Sequence, residues 1–140
     1  MLSIVIVNWN TRDLLVRCLQ SINRSELSEP HETIVVDNAS SDGSADAVRQ
    51  GFPGVELVEP GTNTGYAAGN NLGFERAKGE WVLALNPDTE LDPDCLSSAL
   101  EAMQRHPDWG ACGAMLVGTD GEIQPSVRGF PTPWGFIGEA

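Results

Sequence analysis

Basic residues are scarce: eight Lys and Arg stand against twenty Asp and Glu, for a formal charge of −12. Nucleic-acid and anionic-membrane surfaces need clustered Lys and Arg, and here they are scattered, which argues against both partners. No apolar run approaches the ~20 residues that span a bilayer, so no transmembrane segment is expected. The opening MLSIVIVNWN lacks the basic leader and small-residue cleavage site of a secretory signal. The three cysteines, Cys18, Cys95 and Cys112, are an odd set without CxxC spacing. In apolar periodic segments they read as reduced core residues, which favours the cytoplasm. His31, in a loop, and His106, at a helix end, lie beside prolines and read as surface punctuation. Zinc spacing, a G-x-S-x-G elbow, a GK[ST] P-loop and a GxGxxG fingerprint are all missing. An acidic chain of this kind that binds a phosphorylated ligand needs a cation to help it.

What is present is alternation. A length of 140 residues suits one domain burying roughly 70% of its unfolded surface. LSIVIV (2–7) is a nearly continuous apolar run, as in a strand covered on both faces. The next segment places Leu14, Leu15, Cys18, Leu19 and Ile22 at helical spacing, with Asn10 or Thr11 as cap. ETIVVD (32–37) predicts a second strand, SSDGSADAVRQGF a short capped helix, and VELVE a third strand. A glycine-rich helix over 66–78, ended by Gly79, precedes the apolar strand WVLAL (81–85). Asp92 with Pro93 predicts the start of a helix lined by Leu96, Ala99, Leu100 and Met103, stopped at Pro107. ACGAMLVG then reads as a strand, and Asp120-Gly121 as a hairpin turn. Strands alternating with helices imply βαβ units and a mainly parallel sheet. The tail, VRGFPTPWGFIGEA, is apolar, aromatic and aperiodic, and reads as a segment that packs against a partner surface.

Ligands of open α/β sheets bind beyond the carboxyl ends of the strands. That rule selects Asn8-Trp9-Asn10, Asp37-Asn38 and Asn86-Pro87-Asp88. Asp88 is a hard carboxylate suited to Mg²⁺ or Mn²⁺, which take one or two protein carboxylates plus phosphate oxygens and water. Asn-Pro-Asp-Thr is equally good turn chemistry. Asp37 can accept hydrogen bonds from a nucleobase or ribose, or cap the amides of NASSDGS. Gly61, Gly65, Gly69 and Gly73 recur every fourth residue. Gly73 fits tight helix–sheet packing, while Gly65 with Asn63 at a helix start suits a phosphate or sugar neighbour.

SIVIVNWN, IVVDNASSDGS, NTGYAAGNNLGF and WVLALNPDTEL, in that order, resemble the family 2 glycosyltransferases of the GT-A fold, and most of all the bacterial rhamnosyltransferase-like branch. The resemblance covers essentially the whole chain. It implies an α/β, Rossmann-like, mainly parallel sheet flanked by helices, with a C-terminal β-hairpin. It further implies that Val7 and Trp9 contact the nucleotide base and Asp37 hydrogen-bonds it. Gly65 would lie beside the ribose and diphosphate, with Asn71 supporting that region, and Asp88 would bind the metal as the surviving carboxylate of an Asp-x-Asp motif. Asn86 and Pro87 stand where other members carry acids.

Residues 1–117 are accordingly expected to form the nucleotide-sugar domain. Residues 118–140 form a hairpin and apolar tail leading toward an acceptor-binding half beyond Ala140. The general base is expected there in a Glu-Asp motif, since Glu122 and Glu139 lack suitable surroundings. The implied reaction is inverting, metal-assisted transfer of a sugar from a dTDP- or UDP-linked donor to a polysaccharide or lipid-linked acceptor. The implied location is cytoplasmic, peripheral to the inner face of the membrane, and a second copy of the chain is a candidate to cover the apolar tail. Rival readings are a nucleotide-sugar binding module without turnover, a sugar nucleotidyltransferase (poorly served by Arg12 as the lone basic group after strand one), and a flavodoxin-like domain.

Overall fold

Seven consecutive buried residues place the first strand in the middle of a sheet. The computed structural model describes residues 1–124. β1 (Leu2–Asn8) is buried along its whole length. It pairs in parallel with β2 (His31–Asp37) on one side and β4 (Trp81–Leu85) on the other, and β3 (Val55–Val58) joins the far edge of β2. The four-stranded order is therefore β3-β2-β1-β4. Asn8 is level with Asp37, and Ile6 with Leu85, so the carboxyl ends of the three longest strands share one rim.

The two faces of the sheet are packed differently. On one, Leu2, Ile4 and Ile6 meet Leu15, Cys18, Leu19 and Ile22 of α1 (Arg12–Asn23) in a core that also takes in Val48 of α2 (Ser44–Gly51) and Leu96 and Leu100 of α4 (Cys95–Arg105). Each such side chain contributes about 1.5–3 kcal/mol by leaving water. On the other face, α3 (Tyr66–Phe74) lies over β1 and β2. Its closeness depends on two glycines. A Cβ on Gly69 would fall 2.8 Å from Val7 Cγ1, and one on Gly73 would collide with Val5 Cγ1.

Several boundaries differ from the sequence reading. α3 stops at Phe74 rather than running to 78. Gly79 closes no helix: its amide donates to Ser3 Oγ at 2.8 Å, and a Cβ there would fall 2.7 Å from the Met1 carbonyl oxygen. Thr11 occupies the N-cap of α1 without capping it, because its hydroxyl donates instead to Asn8 Oδ1 at 2.6 Å. α4 begins at Cys95, after a turn in which the Cys95 amide reaches the Asp92 carbonyl. Among the described residues β4 lies at the sheet edge, and Val82 is 47% exposed. His31 opens β2 rather than lying in a loop. Cys18 is buried as expected, Cys95 partly so, but Cys112 is exposed, and none of the three forms a disulfide among the described residues.

Contacts divide the chain into Met1–Glu101 and a smaller unit from Ala102 onward. In the latter, His106 stacks on Trp109 with ring centroids 4.0 Å apart. β5 (Leu116–Val117) and β6 (Ile123–Gln124) form the antiparallel hairpin, so only two residues of ACGAMLVG are strand. Gly121, at φ 82°, supplies the left-handed turn residue that Asp120-Gly121 suggested. The apolar tail and Glu139 lie outside the described residues.

Candidate active site at the carboxyl rim

The polar residues at the strand ends are joined by short bonds. Asn8, buried at the tip of β1, donates from Nδ2 to Asp37 Oδ1 at 2.7 Å. Asp37 is 2% exposed. Its Oδ1 also accepts the Ser40 hydroxyl at 2.6 Å, and Oδ2 accepts the Ser40 amide at 3.0 Å. The capping role open to this residue is thus filled. Ser40 Oγ accepts in turn the Asn10 amide at 2.9 Å. Asn10 sits at φ 53°, a left-handed conformation that asparagine tolerates, and it turns the chain just after Trp9, which is 56% exposed.

The loop before α3 hangs from Asn38. This side chain is 2% exposed; its Nδ2 donates to the Gly65 carbonyl at 3.2 Å, and its Oδ1 accepts the Thr64 hydroxyl at 3.0 Å. Gly65, the N-cap of α3, holds φ 82°, which a side chain would strain. No side-chain cap satisfies the first turn of α3, so its free amides and the positive end of its dipole suit an anion at the rim. Asn71 is exposed on α3, whereas its neighbour Asn70 is buried and donates to the Tyr66 carbonyl at 2.9 Å. Val7 lies beneath Gly69 and is 7% exposed.

The third strand end closes the rim. The Thr89 amide donates to the Asn86 carbonyl at 3.2 Å, forming the Asn-Pro-Asp-Thr turn, with Asp88 exposed on it. Turn and carboxylate coexist, so the two roles weighed for this tetrapeptide do not compete. Beneath it, burial and the charges of Asp88 and Glu90 push the Cys18 thiol up to about 12. Glu90 pairs with Arg17 at 3.1 Å; among the described residues no ion pair neutralises Asp88. Nor do the described residues hold a cluster of three or more His, Cys, Asp or Glu able to enclose a metal. One exposed carboxylate is nevertheless a fitting donor for Mg²⁺ or Mn²⁺ when phosphate oxygens and water complete the octahedron. It is a poor set for zinc.

The structure therefore brings Trp9, Asp37, Gly65 and Asp88 to one rim. Asn38, Ser40, Tyr66 and Asn86 supply links that the sequence reading did not assign. Asn38 and Asn86 carried a signal, as polar residues just past apolar strands; Ser40 and Tyr66 carried none beyond good turn and helix-start chemistry.

The fold is thus that of an open α/β protein with a parallel four-stranded sheet and polar residues along its carboxyl rim. Residues 3–136 match the model of glycosyl transferase family 2, and the chain belongs to that family. It is 32% identical over 142 residues to the N-acetylglucosaminyl-diphospho-decaprenol L-rhamnosyltransferase of Mycobacterium tuberculosis, across 94% of this chain and 46% of that protein. The chain thus spans about half the length of this relative. Among solved structures, the mannosyltransferase PcManGT of Pyrobaculum calidifontis, in complex with GDP-Man and Mn²⁺, superposes with a TM-score of 0.68 at 28% identity, over 73% of this chain and 32% of that one. S. aureus TarS 1–349 in complex with UDP gives 0.70 at 22% identity, over 76% and 32%, and shares the fold. No helix among the described residues is long and apolar enough to cross a membrane.

Proposed function

We propose that this chain is the donor-binding portion of a glycosyltransferase that moves a sugar from a nucleoside diphosphate to an acceptor hydroxyl with inversion. The observation that carries the reading is the convergence of Trp9, Asp37, the α3 start and Asp88 on one rim in a family 2 chain. Trp9 and the end of β1 at Val7 flank the base, which hydrogen-bonds Asp37 Oδ2. Gly65 and the first turn of α3 face the ribose and diphosphate, with Asn71 at their side. Asp88 would hold a divalent cation, which would supply positive charge against the departing diphosphate. In the transfer, the anomeric C–O bond to phosphate breaks, the acceptor oxygen bonds that carbon from the opposite side, and its proton passes to a general base beyond Ala140.

The GDP-Man complex of PcManGT supports a nucleoside diphosphate sugar as donor, here proposed to be UDP- or dTDP-linked, and the decaprenol in the rhamnosyltransferase relative's name supports a lipid-linked acceptor over a polysaccharide one. The site of action that goes with this reading is the cytoplasm, at the inner face of the membrane. Residues 1–117 form the donor domain in this reading. The coverage of 46% of the rhamnosyltransferase relative favours a second reading for the isolated chain, donor binding without turnover, which detectable transfer or donor hydrolysis would eliminate.

Calorimetric titration with UDP or dTDP, with and without Mn²⁺, tests the main reading. Tighter binding with Mn²⁺ that disappears in Asp88→Ala is expected; affinity indifferent to both would contradict it.

A further inference from the structure

We propose that Tyr66 is a positioning residue for the Asn86–Thr89 turn, and so for Asp88; the inference rests on the diphosphate reading above. Tyr66 is the only tyrosine of the chain and opens α3. At 58% exposure its ring gains little from burial, and its hydroxyl has water at hand. It donates instead to Asn86 Oδ1 at 3.0 Å. α3 packs on β1 and β2, whereas Asn86 follows β4, so this bond reaches across the top of β1.

Both ends of the link are fixed from within. The Tyr66 carbonyl accepts the buried Asn70 amide group at 2.9 Å, and the preceding Gly65 carbonyl is held by Asn38 at 3.2 Å. At the other end, Pro87 restricts Asn86. The Asn86 carbonyl closes the turn with the Thr89 amide at 3.2 Å, and the Cys18 thiol approaches the same oxygen at 3.7 Å. The side-chain oxygen of Asn86 is thus committed to Tyr66, leaving Asp88 as the charged donor of the turn. Asn86 serves as an anchor where a second acid would otherwise stand. The free amides of α3 and the Asp88 carboxylate are tied into one frame, able to grip a single diphosphate with its cation.

Tyr66→Phe removes the hydroxyl and keeps the ring. A neutral hydrogen bond of ordinary net strength corresponds to about fivefold in affinity. In titrations of the chain with UDP, Tyr66→Phe is expected to lose about fivefold of the Mn²⁺-dependent gain while its affinity in EDTA stays unchanged. Asn86→Ala should lose as much, and the double variant no more than either single one. If Asp88→Ala abolishes the Mn²⁺ gain but Tyr66→Phe leaves it intact, the inference falls and the nucleotide reading stands. Additive losses, or equal losses with and without Mn²⁺, also overturn it. No Mn²⁺ gain in the unmodified chain overturns both.

Discussion

Replacing Asp42 by alanine should destabilise two helices at once. Neither helix start has a side-chain cap of its own: Thr11 and Gly43 occupy the N-cap positions without supplying one. Asp42 serves both. Its Oδ2 accepts the amide of Arg12, the first residue of α1, at 2.8 Å. Its Oδ1 accepts the amide and hydroxyl of Ser44, the first residue of α2, at 3.0 and 2.5 Å. Losing one cap costs about 1 kcal/mol, and losing a negative charge at a helix start costs about 0.3–1 more. Over two helices the sum is about 2–3 kcal/mol, a large share of the roughly 5–15 available to a domain. With a urea slope of about 1–3 kcal/mol/M, the unfolding midpoint should fall by about 1 M at unchanged slope. The deficit should also depend on pH. Burial acts to raise the Asp42 carboxyl, but hydrogen bonds from the Ser44 hydroxyl and the Arg12 and Ser44 amides outweigh it and hold it below its ordinary value of 3.8. A depressed carboxyl stabilises the fold above its unfolded pKa, and that contribution is lost as pH falls through the folded one. The difference between Asp42→Ala and the unmodified chain should therefore be full at pH 7 and shrink below about pH 4. Urea melts at pH 7, 5 and 3 measure it. A loss under 0.5 kcal/mol at pH 7, or one that persists unchanged at pH 3, would refute the double-cap argument.

Gly73→Ala gains about 1 kcal/mol of helix propensity but drives a methyl into Val5 Cγ1. Overpacking costs typically 1–3 kcal/mol, so a net loss of about 1 kcal/mol is expected, partly restored by pairing with Val5→Ala. A variant more stable than the parent would show that α3 lifts off the sheet freely. For the cysteines, thiol labelling at pH 8 should modify exposed Cys112 rapidly and Cys18 only on unfolding, because burial and the Asp88 and Glu90 charges keep Cys18 protonated to about pH 12. By linkage, the unfolded chain releases this proton first, so stability should fall between about pH 9 and 12. That slope should vanish in Cys18→Ala, and its persistence there would assign it to another group.

The βαβ alternation was legible because strand and helix have different apolar periods. Strand boundaries came within a residue or two where burial is complete, as in β1 and β2. β4 was found where expected, but WVLAL is as apolar as a central strand, so its place at the edge of the described sheet was not legible. The end of α3 was hidden for another reason. Gly79 looked like a helix stop, but its lack of a side chain serves an approach to Met1 and Ser3 that only tertiary structure shows. At the site, strand-end polar residues were visible through topology alone. The cross-links were not: Tyr66 to Asn86 spans 20 residues and Asn8 to Asp37 spans 29, distances at which no local pattern operates. Asp42 was hidden likewise, since it caps α1 from 30 residues away.

Where the cation sits is the decisive question. Crystals of the chain grown with UDP and Mn²⁺ and measured at the manganese absorption edge would locate the ion by its anomalous signal. The account predicts one peak, in bonding contact with an Asp88 carboxylate oxygen and beside the diphosphate. A peak elsewhere, or nucleotide bound at the rim with no ion beside Asp88, would contradict it.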